Sequence, residues 1–159
     1  PGAEPAETVA FWDRVARMQR GVTAAAFAVE NLDARLKDIK TALARTRAAP
    51  DALDNQWQAL RDELNAIDAA LNGNQAKNKI GEPVPATVQT RLSNVMIGIS
   101  ESTYGPTPTH VQTLEYAESD FETIRSRINT MKQMTIPAFE TALIDAGGPW
   151  APGGLIPPY

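Results

Sequence analysis

One histidine is the first candidate for catalytic chemistry in this sequence. His110 is the only histidine, so it would have to serve any serine–histidine–aspartate machinery or any Glu-x-x-His metal site. Thr107, rather than glutamate, stands three residues before it, which excludes a di-iron or zinc site of the usual kind. Because His110 falls in the first turn of a predicted helix, we expect an exposed, structurally neutral side chain.

Acidic residues that could act as acid–base pairs form three groups. The groups are Glu30 with Asp33, Asp62 with Glu63, and Glu115 with Glu118 and Glu122. The third group lies one position from an apolar helical stripe, and the second follows an arginine, as surface charges do. We therefore expect solvated faces, and the sequence predicts no catalytic residue, no cofactor-binding residue, no cofactor and no metal ligand in this chain.

The charge distribution argues against a nucleic-acid partner. The chain has a net charge of −4, and its acidic and basic residues are interspersed instead of forming one basic face. Arg14, Arg17 and Arg20 align on one helix beside Asp13, which we interpret as a solvated face, with an anionic-ligand site as the alternative. No apolar run approaches the ~20 residues of a membrane span, so we expect no membrane-spanning helix.

Aromatic residues offer one alternative site. Trp12, Trp57 and Tyr104 could line a small-molecule pocket between helices. Aromatic residues at helical spacing more often belong to the core, and that is the interpretation we favour. The absence of cysteine excludes disulfides and thiolate chemistry.

Apolar residues at alternating spacings of three and four predict the elements that must position these groups. The seam of the first helix, predicted over about 6–46, consists of Val15, Met18, Val22, Ala25, Val29, Leu32, Leu36, Ile39 and Leu43. Gly21 interrupts this helix, and the small residues after it favour close approach of another helix over a hinge. Pro50 begins a second helix, predicted over about 51–71.

The middle of the chain is predicted as a loop followed by a helix. Residues 72–85 are rich in Asn, Gly, Lys and Pro, so we expect an exposed connector, with a functional loop as the alternative. A third helix is predicted over about 86–102, although the composition of 95–99 also suits a strand. A lone strand among helices would have no pairing partner, which favours the helix.

A last helix follows a rigid proline–threonine turn. Thr109 and Gln112 form a capping-box pattern that predicts its start, Pro137 predicts a kink, and Gly147 with Gly148 predicts its end. The whole pattern predicts an all-α fold over residues 1–146. We expect an elongated antiparallel up-down bundle of about four helices, with long first and last helices.

The tail over residues 147–159 is rich in proline and glycine. It predicts an extended strap whose Trp150 and Tyr159 dock onto the bundle, with a free polyproline ligand for a partner as the alternative. Docking is favoured because an exposed tryptophan lowers solubility. Bundle and tail together are predicted to form a single domain.

The order of several motifs along the chain supports a family resemblance. After the long heptad helix and its short hairpin partner come Glu82-Pro83, Arg91-Leu92, the turn at 106–109, the stretch 137–140 and the Gly-Pro-Trp-x-Pro-Gly tail at 148–153. This order resembles the C-terminal helical region of bacterial sortilin-like, BNR-repeat β-propeller proteins, which are often labelled glycosyl hydrolases. The tail departs from that pattern at Gly154, where an arginine would be expected.

The resemblance implies a periplasmic or secreted protein with a propeller upstream of Pro1. Because the chain does not begin with methionine, we expect that an upstream part has been removed. The leading hypothesis is a non-catalytic accessory or interaction domain that packs on the propeller of the same polypeptide or binds another protein. The alternatives are a free-standing bundle that binds an apolar ligand and an adaptor that dimerises through its first helix.

Overall fold

The computed structural model confirms the predicted all-α bundle. It describes residues 4–47, 49–73, 79–83, 85–102, 104–150 and 156, and these contain no β-strand. The elements are α1 (Pro5–Ala44), α2 (Asp51–Asn72), α3 (Val88–Ser100), α4 (Pro108–Thr130), a π-helical turn (Met131–Thr135) and α5 (Ile136–Asp145). None of the helices in this part of the chain is both long and apolar enough to cross a membrane.

α1 carries the longest stretch of core. It has 40 residues and ends two residues before the predicted boundary, with Thr46 just beyond it. All nine seam residues predicted from the spacing are buried, and Leu36 and Ile39 have no exposed surface. Complete burial of a Val, Leu, Ile or Met side chain contributes about 1.5–3 kcal/mol, so burial of the seam is the main contribution that stabilises the packing of α1.

The chain divides into two compact units, and α1, α2 and α4 each contribute to both. Unit 1 consists of Pro1–Ala26 and Asp68–Arg125, and unit 2 consists of Phe27–Ile67 and Ser126–Tyr159.

In unit 1, the first part of α1 contacts α3 and α4. A Cβ atom added at Gly21 would lie 2.9 Å from Cε1 of Phe121, which confirms the predicted close approach. The residues from Val95 to Ile99 are helical, not a strand, and the four apolar residues of the α3 stripe are all buried. These are Val88, Leu92, Val95 and Ile99.

In unit 2, the second part of α1 contacts α2 and α5. The indole N–H of Trp57 donates a hydrogen bond to the carbonyl oxygen of Leu36 over 2.9 Å. Arg35 of α1 forms a bidentate ion pair with Glu140 of α5, over 2.7 and 3.0 Å. Leu64 and Ile67 of α2 are buried.

The predicted capping box at Thr109 and Gln112 is wrong by two residues. Helix α4 begins at Pro108, because proline is well suited to the first helical position, and this makes Thr107 the cap. The Thr107 hydroxyl accepts a hydrogen bond from the backbone N–H of His110 (3.3 Å), and Nδ1 of His110 accepts one from the backbone N–H of Thr107 (3.2 Å). The capping box therefore uses histidine in the place of glutamate. His110 is half-buried and forms part of the cap, so the expectation of an exposed, structurally neutral side chain is wrong.

The end of the last helix follows the predicted glycine signal. Gly147 has φ 82°, its N–H donates to the carbonyl oxygen of Ile144, and the N–H of Gly148 donates to that of Leu143, both over 2.9 Å. This is a Schellman motif, which a glycine at positive φ permits. Pro137 was predicted to mark a kink. The irregularity instead lies before it, in the π turn from Met131 to Thr135.

The polar loop and the tail are described only in part. Residues 79–83 and 85 are exposed, as predicted for a connector. Trp150 is 50% exposed and Ile156 is 88% exposed, while Tyr159 lies outside the described residues. Docking of the tail through Trp150 and Tyr159 therefore stays a prediction.

Candidate binding site

Unit 2 contains an apolar groove between α2 and the stretch that runs from the end of α4 into α5. The groove has a volume of about 560 Å³, within the usual range of ligand pockets. Its lining residues are Gln56, Ala59, Leu60, Glu63, Ser126, Arg127, Thr130, Met131, Thr135, Ala138 and Phe139.

One wall of the groove is a single face of α2. Its four lining residues follow the spacing i, i+3, i+4 and i+7, which places them on the same side of a helix. Ala59 on this wall and Ala138 on the opposite wall are both exposed, so neither side chain fills the space between the walls. Small residues on both sides leave the groove open.

The floor of the groove is apolar. Met131 and Phe139 of the opposite wall form most of it, and Leu60 of α2 adds to it. Met131 and Phe139 are almost completely buried, and Leu60 is half-buried. Met131 and Thr135 are the first and last residues of the π turn. Single π turns within helices occur frequently at functional sites, and here the turn forms part of the wall.

An ion pair lies at the polar edge of the groove. Nε and Nη2 of Arg127 donate to the two carboxylate oxygens of Glu63 over 2.7 and 2.9 Å. The hydrogen bond from Arg127 lowers the pKa of Glu63, and the same bond raises the pKa of Arg127, while partial burial opposes both shifts. Both groups therefore stay charged near neutral pH, which suits a structural or binding role better than proton transfer.

Each of the three acidic groups considered from the sequence has at least one carboxylate in an ion pair, and the groups are not gathered into one site. Hydrogen bonds from Lys37 and then Arg61 lower the pKa of Asp33. Glu118 accepts two hydrogen bonds from Arg14, and Glu122 is paired with Arg125. Across the described residues, no three side chains of histidine, aspartate or glutamate come together in a way that could hold a metal ion.

The arginine row of α1 does not act as one surface. Arg14 is half-buried and forms its bidentate pair with Glu118 over 3.0 and 2.7 Å. Arg17 and Arg20 are exposed, as expected of a solvated face. Arg14 is thus bound to Glu118 and joins α1 to α4 within unit 1.

The three aromatic residues singled out from the sequence do not form the groove. Trp57 is half-buried, and the Nζ of Lys40 lies 4.6 Å from its ring centroid, so it supports the packing of α2 on α1. Trp12 is 40% exposed and meets the ring of Phe11 edge-on, and Tyr104 is 79% exposed. The apolar site lies where the sequence shows leucine, methionine and phenylalanine of an ordinary helical stripe.

Two features of unit 2 were missed from the sequence, although each leaves a trace. Glu140 is buried with Arg35, and it occupies a position in the stripe of α5 that Ile136, Phe139 and Leu143 otherwise fill. The π turn corresponds to a five-residue gap between the buried Met131 and Ile136, where three or four residues would be regular. The charged residue at a core position is therefore the signal of the Arg35–Glu140 pair, and the irregular spacing is the signal of the π turn that lines the groove.

Comparison of the chain with protein-family models, with curated proteins and with solved structures gives no match.

Proposed function

We propose that this chain is a non-catalytic helical interaction domain and that the groove of unit 2 is its binding site. The observation that carries the proposal is an open groove with an apolar floor and a single, mutually neutralised ion pair at its edge. Buried apolar surface supplies affinity for a partner, and a few polar groups orient it.

Several side chains that could have served catalysis have structural partners, which also supports the proposal. The ring nitrogen Nδ1 of His110 is used in the cap of α4, and the carboxylates of Asp33 and Glu118 are bonded to basic side chains. Groups held in this way position helices, and no reacting constellation is assembled from them.

A nonpolar fluorescent dye, N-phenyl-1-naphthylamine, tests whether the groove is an accessible site. We expect a saturable rise in dye fluorescence with the parent chain. Ala59→Trp fills the space between the walls and should abolish it. Ala66→Trp is the matched control, because Ala66 is also exposed on α2 but lies about 10 Å further along the helix.

The two outcomes of the dye experiment separate clearly. Loss of the signal in Ala59→Trp together with its retention in Ala66→Trp supports the groove as the site. Absence of a saturable signal with the parent chain, or equal signals in the two variants, would overturn the proposal.

The order of motifs supports a larger context for the domain. We propose that it is the C-terminal helical region of a periplasmic or secreted, sortilin-like BNR-repeat propeller protein, where it packs on the propeller or binds another protein. The coding sequence upstream of Pro1 tests this. Repeated short strands at blade-like spacing behind a signal peptide would support it, and a start codon directly before Pro1 would contradict it.

Self-association through α1 is a second candidate, favoured by three large exposed apolar side chains on that helix. The seam itself is buried within the chain, so the large apolar side chains that α1 offers to a second copy are Val9, Trp12 and Phe27. Light scattering behind a sizing column distinguishes the 17.2 kDa chain from a species of twice that mass. If Trp12→Ala and Phe27→Ala leave such a species intact, contacts other than these hold it together.

A further inference from the structure

We propose that the groove of unit 2 selects a neutral amphiphile, with an apolar chain along its floor and a hydroxyl or carbonyl head against Arg127. The inference rests on the proposed function and adds the chemical class of the ligand.

The floor accounts for the apolar part of the ligand. Met131 and Phe139 present buried side chains to the groove, and Leu60 adds a third apolar contact from α2. Methionine is flexible and polarisable, so it adapts to chains of different shape better than a branched residue would. The α2 wall extends from Gln56 to Glu63, which corresponds to about 10 Å along the helix.

The edge of the groove accounts for a head that accepts hydrogen bonds. A guanidinium group has five N–H donors, and Arg127 gives two of them to Glu63, which leaves three for other acceptors. Ser126 and Thr130 add two hydroxyl groups on the same side. Arg127 can therefore bind a hydroxyl or carbonyl oxygen while its ion pair with Glu63 stays intact.

The same ion pair disfavours charged heads of either sign. A carboxylate head near Arg127 would also lie near the carboxylate of Glu63, and like charges repel. An ammonium head would have to compete with Arg127 for Glu63. Because the two charges of the pair cancel each other, the field at the edge of the groove does not favour an ionic ligand.

Methionine methyl groups offer a direct readout. The chain contains four methionines, and with ¹³C-labelled methyl groups each gives its own NMR signal. Met131 lies in the groove, whereas Met18 and Met96 belong to unit 1 and serve as internal references. The ligands are 1-decanol, decanoate and decylammonium, which share one chain and differ in the charge of the head.

We expect 1-decanol to shift the Met131 signal saturably, at least tenfold more tightly than decanoate or decylammonium, and the signals of Met18 and Met96 to stay in place. Ala59→Trp should abolish the shift, and Ala66→Trp should retain it. Glu63→Gln leaves the charge of Arg127 uncompensated, so this variant should prefer decanoate to 1-decanol.

Tighter binding of either charged ligand by the parent chain would overturn the inference, as would a Glu63→Gln variant that keeps the parent's preference. No response of Met131 to 1-decanol, together with normal binding of the naphthylamine dye, would remove the inference and leave the proposed function standing. Failure of both ligands would remove both.

Discussion

Gly21 lies in the middle of a 40-residue helix because the ring of Phe121 occupies the space where a side chain would be. A glycine within a helix costs about 1 kcal/mol relative to alanine. Here that cost is offset by contact between α1 and the aromatic ring. The effect of adding one methyl group at position 21 therefore depends on the Phe121 ring.

Gly21→Ala should therefore destabilise the protein, although alanine is the better helix former. The new Cβ would lie 2.9 Å from the Phe121 ring, and overpacking of this kind costs typically about 1–3 kcal/mol. In a Phe121→Leu background the same substitution should stabilise the protein by up to about 1 kcal/mol, because only the gain in helix propensity remains. Urea unfolding followed by circular dichroism measures both effects. A stabilising Gly21→Ala with Phe121 present would show that the contact is not restrictive.

Single residues differ in how far the sequence predicts them. The nine seam residues of α1 are all buried as predicted, since burial of a long helix follows from a spacing that the chain carries by itself. The roles of Glu140 and His110 depend on partners in space or on the exact start of a helix. Arg35 lies 105 residues from Glu140, and no local pattern joins them.

The π turn between α4 and α5 resolves a conflict between two local requirements. Met131 and Ile136 are both buried although they are five positions apart, and a regular helix would turn Ile136 away from that face. In a regular helix, the ring of Pro137 would also clash with the carbonyl of Gln133. A wider turn absorbs one residue, so the buried stripe continues on the same side.

Deletion of Gln133 combined with Pro137→Ala tests this account. Gln133 is exposed, and its removal should convert the π turn into a regular one while the buried stripe of α5 keeps its direction. We expect the free energy of unfolding to stay within about 1 kcal/mol of that of Pro137→Ala alone. Because Met131 and Thr135 line the groove, affinity for the naphthylamine dye should fall by about tenfold or more.

A deletion in a regular part of the same helix is the control. Removal of the exposed Ser126 would rotate everything after it by about 100°, because one residue corresponds to that angle in an α-helix. This variant should unfold or lose several kcal/mol. Equal stability of the two deletions would mean that the π turn does not store the extra residue.

The boundaries of elements show what local sequence can and cannot specify. Proline and glycine signals predicted the start of α2 and the end of α5 within one or two residues. The cap of α4 was missed because a Thr-x-x-Gln pattern competes with Thr107-Pro108, and the preference of proline for the first helical position decided it. The groove could not be predicted, because it depends on which faces of separate helices oppose each other.

The contribution of the buried Arg35–Glu140 ion pair to stability is smaller than the loss measured when only one partner is removed. Arg35 and Glu140 are 20% and 6% exposed, so removal of one partner leaves the other charge poorly solvated. Arg35→Leu should cost about 3–5 kcal/mol. The double variant Arg35→Leu/Glu140→Leu should recover most of this loss, because two apolar residues in the same place avoid desolvation of charge. Chemical denaturation of the parent chain, the two single variants and the double variant measures the coupling energy between the two side chains. Equal losses of stability in the single and double variants would contradict this prediction.

The pH dependence of unfolding should reflect the carboxylates of unit 2. Lys37 and Arg61 lower the pKa of Asp33 by hydrogen bonding, and Arg127 does the same for Glu63. A carboxylate whose pKa is lower in the folded state binds fewer protons there than in the unfolded chain. Its stabilising contribution is therefore complete above the unfolded values, about 3.9 for Asp and 4.3 for Glu, and is lost as the pH falls through the folded values.

We therefore expect these two carboxylates to make the unfolding free energy fall below about pH 4. Each proton taken up on unfolding contributes a slope of up to about 1.4 kcal/mol per pH unit. Asp33→Asn with Glu63→Gln should lower stability at neutral pH and make the acid limb shallower. Urea titrations between pH 2.5 and 7 measure the slopes. An acid limb equally steep in the double variant would assign the loss of stability to other carboxylates, and the ion pairs of Asp33 and Glu63 would then hold geometry without contributing to the acid response.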